Sequence, residues 1–187
     1  YGHPYWSGHE PCHMMEGRAA IGVEAYNSTC EAVRGLGDSS VHLDHMLSRG
    51  LRWRIFAVDD THRVERDAFG GWIHVKAARL TRDAILDAIR RGLFYASTGP
   101  ELHAVRIQRR RICVECSPVR RMVLHGQGPA GRVLFAERRG LTRGEFRLAD
   151  VAPCTKYLRV ECTDDQGGKA WSQPIFRVGK SNAWRDA

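Results

Sequence analysis

The rhythm of the chain changes at Thr98-Gly99-Pro100, and this break constrains the fold more than any other feature. Beyond it, short apolar and β-branched runs recur at 102–108, 112–116, 121–125, 133–137, 145–148, 157–163 and 170–177. Turn formers separate them: Gly126-Gln127-Gly128-Pro129, Arg139-Gly140 and Asp165-Gln166-Gly167-Gly168. Regular short strands between such turns predict a small antiparallel β-sandwich over 101–178, followed by a frayed tail at 179–187.

Before the break the pattern is mixed. Residues 1–27 open on turn formers and aromatics and read as a loop, with a short buried strand at 21–26. Residues 27–40 are rich in Gly and Ser and read as a second loop, 41–49 as a short helix stopped by Gly50, and 52–58 as a strand. The sharpest helix signal lies at 82–91. Thr81 is a good N-cap, Asp83 suits the positive end of the dipole, Ile85, Ala88 and Ile89 form one apolar stripe, and Gly92 supplies the stop. A strand at 93–97 closes this part. About three strands and two helices make an α/β unit over 1–100 that is too small to close a barrel or cover a sheet by itself.

Charge divides at the same place. The first 100 residues hold 12 Lys+Arg and 12 Asp+Glu, and the remainder hold 17 and 9, so the whole net charge of +8 lies in the β part. Seven of the nine histidines lie in the first part. A neutral unit rich in metal-ligating residue types thus precedes a basic unit poor in them, which suggests different tasks. No 18-residue apolar span marks a transmembrane helix, and the N-terminus carries no signal-peptide pattern. The expected compartment is the cytoplasm. In that setting the six cysteines are expected as reduced thiols, Cys113-Val114-Glu115-Cys116 included, because a zinc site would need a second ligand pair.

Asp60-Thr61-His62 is the most suggestive local motif. Alternate residues of an extended segment face the same way, so a carboxylate and an imidazole project together from the end of the 52–58 strand. That donor pair suits Zn, Mn or Fe ions; the alternative is a hydrated loop with a surface ion pair. His3-Pro4 adds another imidazole beside Tyr5-Trp6. Glu24, at a strand end, could be an acid, a base, a supporting group for a ligand, or only a turn cap. His42 and His45 share a helix face at i, i+3, and His9 and His13 stand at i, i+4, but Pro11 between the latter argues for a loop. Both pairs read more simply as solvated histidines. The clusters Arg109-Arg110-Arg111, Arg120-Arg121 and Arg138-Arg139 could hold an anionic polymer, yet few aromatics stand near them for base stacking.

Taken in order, His3-Pro4-Tyr5-Trp6, Glu24-Ala25-Tyr26-Asn27, Val58-Asp59-Asp60-Thr61-His62, Phe94-Tyr95-Ala96-Ser97-Thr98-Gly99-Pro100 and Ala170-Trp171-Ser172-Gln173-Pro174-Ile175 resemble the PHP (polymerase and histidinol phosphatase) superfamily, in its carbaryl-hydrolase-like branch. The resemblance implies the C-terminal part of a distorted (β/α)7 barrel followed by a small β domain. It implies a centre of two or three divalent ions (Zn, Mn or Fe), with His3, Asp60 and His62 among the ligands. It further implies a metal-dependent hydrolase of small-molecule phosphoesters or carbamates. The family's early His-x-His, further histidines and bridging Glu have no counterpart here and would lie upstream of Tyr1; the resemblance then implies a fragment, ligands drawn from another chain, or a degenerate, inactive relative, and of these a fragment is expected. Oligomers are compatible with such a partial unit. The competing expectation is a non-catalytic module that uses the basic β unit to hold an anionic partner.

Overall fold

The structure is a computed structural model that describes residues 1–17, 19–178 and 183–186. In chain order the elements are α1 (Pro11–Glu16), β1 (Gly22–Asn27), α2 (Ser28–Arg34), α3 (Ser40–Ser48), β2 (Arg54–Val58), α4 (Val64–Asp67), β3 (Trp72–Val75), α5 (Arg82–Arg90) and β4 (Phe94–Ser97). Then follow β5 (Leu102–Gln108), β6 (Arg111–Val119), β7 (Arg121–Gly126), β8 (Gly131–Phe135), β9 (Leu141–Arg147), β10 (Tyr157–Thr163), β11 (Lys169–Trp171), β12 (Ile175–Val178) and β13 (Ala183–Asp186). Of the expected tail, residues 179–182 and 187 lie outside the described residues, and 183–186 form β13 against β12.

Three sheets result. β1 and β2 form a two-stranded parallel sheet. An eight-stranded sheet runs β13-β12-β10-β11-β4-β3, with β7 and β8 continuing from the other edge of β10. A three-stranded antiparallel sheet, β5-β6-β9, faces it. The protein is therefore mostly β, with 38% strand and 21% helix, and has a sandwich-like pairing of sheets.

This overturns the expectation of a distorted (β/α)7 barrel. A barrel of that kind needs consecutive parallel strands joined by crossover helices. Among the described residues only β1 and β2 pair in parallel. β3 and β4 pair antiparallel with each other across α5, and β4 then pairs with β11, more than 70 residues later in the chain. The last two strands before Pro100 thus extend the large sheet rather than continue a parallel series.

The central strand shows why the layers stack as they do. All seven residues of β10 are buried, and alternation sends them to opposite faces. Leu158, Val160 and Cys162 enter the sandwich core with Ile112, Val114, Met122, Leu124 and Phe146. Tyr157 enters a second core with Trp171, Phe176, Leu43, Met46, Trp53 and Ile55. On this same face lies an ion network. Arg159 reaches α3 through two 2.8 Å bonds to Asp44 and also donates to Glu161 at 3.1 Å. Trp171 Nε1 donates to the same Glu161 oxygen at 3.1 Å.

Two local rules shape the N-terminal layer. Pro11 occupies the first turn of α1, where its missing N–H would be unbonded in any case, so it starts a helix instead of preventing one. Asn27 ends β1 and caps α2 by accepting from Cys30 N at 2.9 Å, and Gly35 closes that helix at φ +66. Among the described residues, no strand pairs with the outer edge of β2. Gln173 instead donates to Ile55 O at 3.0 Å and accepts from Ile55 N at 2.9 Å, so one side-chain amide stands in for a strand partner. All six cysteines are free, and among the described residues no helix is long and apolar enough to cross a membrane.

Candidate metal centre

The C-terminal ends of β1 and β2 bring the sequence motifs together. Parallel pairing sets Asn27 opposite Val58, so residues after both strands emerge side by side. The first residues of the chain run along the other edge of β1. The Tyr1 amino group donates to Gly22 O at 2.8 Å, and Glu24 N donates to Tyr1 O at 3.0 Å. His3 then arrives over Glu24, and its backbone N–H donates to Glu24 Oε2 at 2.8 Å.

Asn27 is the hub, fully buried at 0% exposure. Its Nδ2 donates to Glu24 Oε2 at 3.1 Å and to Asp60 Oδ2 at 3.2 Å, while its Oδ1 serves the α2 cap. One amide therefore holds the Glu24 carboxylate of β1 and the Asp60 carboxylate from the loop after β2 within reach of a single nitrogen. Among the described residues no Lys or Arg forms an ion pair with either carboxylate. The uncompensated charge is felt nearby. The Cys30 thiol is pushed up by burial first, then by Asp60 and Glu24.

The backbones of His3 and Asp60 are strained. His3 has φ +24 and Asp60 φ +56, a region that non-glycine residues rarely adopt. Each such residue costs about 1–3 kcal/mol, and such strain clusters at functional sites. The Asp60 conformation is imposed by its surroundings: Thr29 Oγ1 donates to Asp60 O at 3.1 Å, and His62 Nδ1 lies 2.6 Å from the same carbonyl. A carbonyl can only accept, so His62 carries a proton on Nδ1. A ring proton held by a carbonyl is the usual support of a metal-ligating histidine. His3 Nδ1 is likewise engaged, by Ser7 Oγ at 2.9 Å.

The loop that presents these groups is tied by two other carboxylates. Asp59 accepts from Phe69 N, Gly70 N and Gly71 N at 2.7, 2.6 and 2.8 Å. Gly71 permits this approach, since a Cβ there would stand 2.8 Å from Val58 O. Asp67 accepts from His62 N and Arg63 N at 2.9 Å each, and those bonds hold its carboxyl below the usual range. Asp59 and Asp67 thus order residues 59–71, and Asp60 is left to face the site.

The donor chemistry fits a divalent cation, but the number of donors does not. Among the described residues no three His, Cys, Asp or Glu side chains lie together closely enough to hold a metal ion. The structure brings the Glu24 and Asp60 carboxylates together on Asn27, sets only the backbone N–H of His3 against Glu24, and places the His62 ring against the Asp60 carbonyl on the exposed loop. It leaves the other candidates elsewhere. His9 and His13 lie 6.3 Å apart by ring centroid, and His42 packs at 5.8 Å from Tyr5, where burial lowers its pKa. From two of the arginine clusters one member each is drawn into an ion pair, Arg111 with Glu145 at 3.2 Å and Arg121 with Glu161 at 3.7 Å. Asn27 is the residue whose role the motifs did not reveal. Its signal, an Asn at a strand end just before Ser28-Thr29, marks a helix cap and nothing more. No family model, curated protein or solved structure matches this chain.

Proposed function

We propose that this chain carries part of the centre of a metal-dependent hydrolase for small-molecule phosphoesters or carbamates, with His3, Asp60 and His62 as ligands and Glu24 beside them. The observation that supports it is the pair of carboxylates on Asn27 Nδ2 with no basic partner. Two acids held together without a counter-charge favour a bound cation. A divalent ion, when bound with its full ligand set, supplies hydroxide near neutral pH and polarises the scissile oxygen.

The chain's own residues do the positioning. Asn27 sets the spacing of Glu24 and Asp60. The Asp60 carbonyl holds His62 through Nδ1, which leaves Nε2 as the ring nitrogen available to a ligand. Asp59 and Asp67 hold the loop so that neither donor has to be ordered on binding. The donors present make less than a full centre, and in this reading the remainder come from outside the described residues.

The test is hydrolysis of an aryl phosphate and an aryl carbamate with added Zn²⁺, Mn²⁺ or Fe²⁺, by this chain and by the longest form of the protein that the coding region encodes. The proposal expects metal-dependent turnover by the longest form, abolished in Asp60→Asn. Turnover unaffected by chelators or by Asp60→Asn would overturn it.

A further inference from the structure

A second cleft lies at the opposite end of β2 from the carboxylate pair, between the β3–β4 edge and β5. It encloses about 530 Å³, within the range of small-molecule sites. Its lining includes Lys76, Arg91 and Arg106, and it includes no Asp or Glu. Its floor is apolar, with Phe94, Leu102 and Ile175 all buried. The polar floor groups are already used: Ser172 Oγ accepts from Val160 N at 2.9 Å, and Gln173 is spent on Ile55.

One wall is aromatic. His74 and Tyr95 are cross-strand partners on β3 and β4, with rings stacked at 4.7 Å and 17°. Trp72 Nε1 donates to His74 Nε2 at 2.8 Å, which orients the imidazole against the wall. Among the described residues, no carboxylate pairs with Lys76. Arg91 and Arg106 lean on Asp87 and Glu115 at 3.2 and 3.7 Å, in exposed pairs that add little stability and can yield to a better anion. Both acids stand outside the lining.

We propose that this cleft binds an organic anion with a flat apolar body, the body against the His74–Tyr95 wall and the anionic group between Lys76 and Arg106. A purely apolar ligand would leave the basic rim unused, and a simple inorganic anion would leave the apolar floor wet. The site shares no residue with the proposed metal centre.

The experiment is calorimetric titration of the whole chain, in metal-free buffer, with 2-naphthalenesulfonate, methanesulfonate and 2-naphthol. The expected result is saturable, single-site binding of the naphthalenesulfonate that weakens at least about tenfold in Lys76→Gln/Arg106→Gln, the loss of a charge-assisted contact. The melting temperature of that variant should be unchanged. A control with the same charge loss elsewhere, Arg82→Gln/Arg139→Gln, should bind as the parent does. The two partial probes should each bind at least about tenfold more weakly. Absence of saturable binding into the millimolar range, equal weakening by the control variant, or methanesulfonate as tight as naphthalenesulfonate would overturn the proposal. Because binding is read without metal, it stands or falls separately from the hydrolase reading.

Discussion

Replacing Asp44 with Ala tests how the N-terminal layer is held to the large sheet. Arg159 on β10 is 1% exposed and meets both oxygens of Asp44 on α3 at 2.8 Å. Burial disfavours its charge, and Asp44 followed by Glu161 more than offset that. Without Asp44 the guanidinium keeps only Glu161, at 3.1 Å. Breaking a buried pair costs about 3–5 kcal/mol, because a desolvated charge is left behind. Asp44 is itself 28% exposed, so water can reach the vacated place, and the expected loss is about 2–4 kcal/mol. At roughly 2–4 °C per kcal/mol for a chain of this size, Tm should fall by about 5–15 °C. Urea unfolding of Asp44→Ala, Arg159→Met and the double variant would give the coupling directly. The same Asp44→Ala change should cost little once Arg159 is Met. A loss below about 1 kcal/mol, or a coupling near zero, would refute the claim that this pair joins the layers.

Two further outcomes follow from the same region. Burial, and then the Arg159 guanidinium, lower the His125 pKa to about 4, with Arg121 adding to the effect and Glu161 and Asp44 opposing it. The unfolded chain takes up that proton near pH 6.5. Stability from neutral His125 is therefore full above about pH 6.5 and is lost as pH falls towards 4, by about 2–3 kcal/mol in all. His125→Asn should flatten this part of the stability–pH curve, and an unchanged slope in urea melts would contradict the assignment. Gln173→Ala should leave Ile55 N–H and C=O without partners, cost about 1–3 kcal/mol, and speed amide exchange at Ile55 above all. Unaltered exchange at Ile55 would show that the side chain is not its partner.

The local elements were written plainly in the sequence, while their long-range partners were not. Thr81 and Gly92 bracket α5 as read, with Thr81 Oγ1 accepting from Ala84 N at 3.4 Å. The strand at 157–163 was legible from its apolar run, and the short strands around it from their turns. The run at 170–177 divides into β11 and β12 around Pro174, which cannot donate to a ladder. α1 escapes the sequence pattern because Pro11 reads as a breaker although it sits in a first turn. α2 was missed because Ser, Thr and Gly around it read as loop, although Asn27 and Gly35 are its caps. The barrel expectation failed for a different reason. Nothing local in Phe94–Ser97 says that its partners are Trp72–Val75 and Lys169–Trp171, both antiparallel. Of the site, Asp60 and His62 stood out because a motif joined them. Their link to Glu24 runs through a buried amide 33 residues from Asp60, and no spacing rule contains it.

The measurement that bears most directly on the proposed centre is metal content by elemental analysis, on the longest form of the protein and on Asp60→Ala/His62→Ala of that form, each dialysed against Zn²⁺ or Mn²⁺ and then against metal-free buffer. The account predicts divalent metal retained by the longest form of the protein and lost from that form in Asp60→Ala/His62→Ala, while the variant's melt without metal stays close to that of its parent. Metal retained equally by both proteins, or by neither in the longest form of the protein, would contradict it.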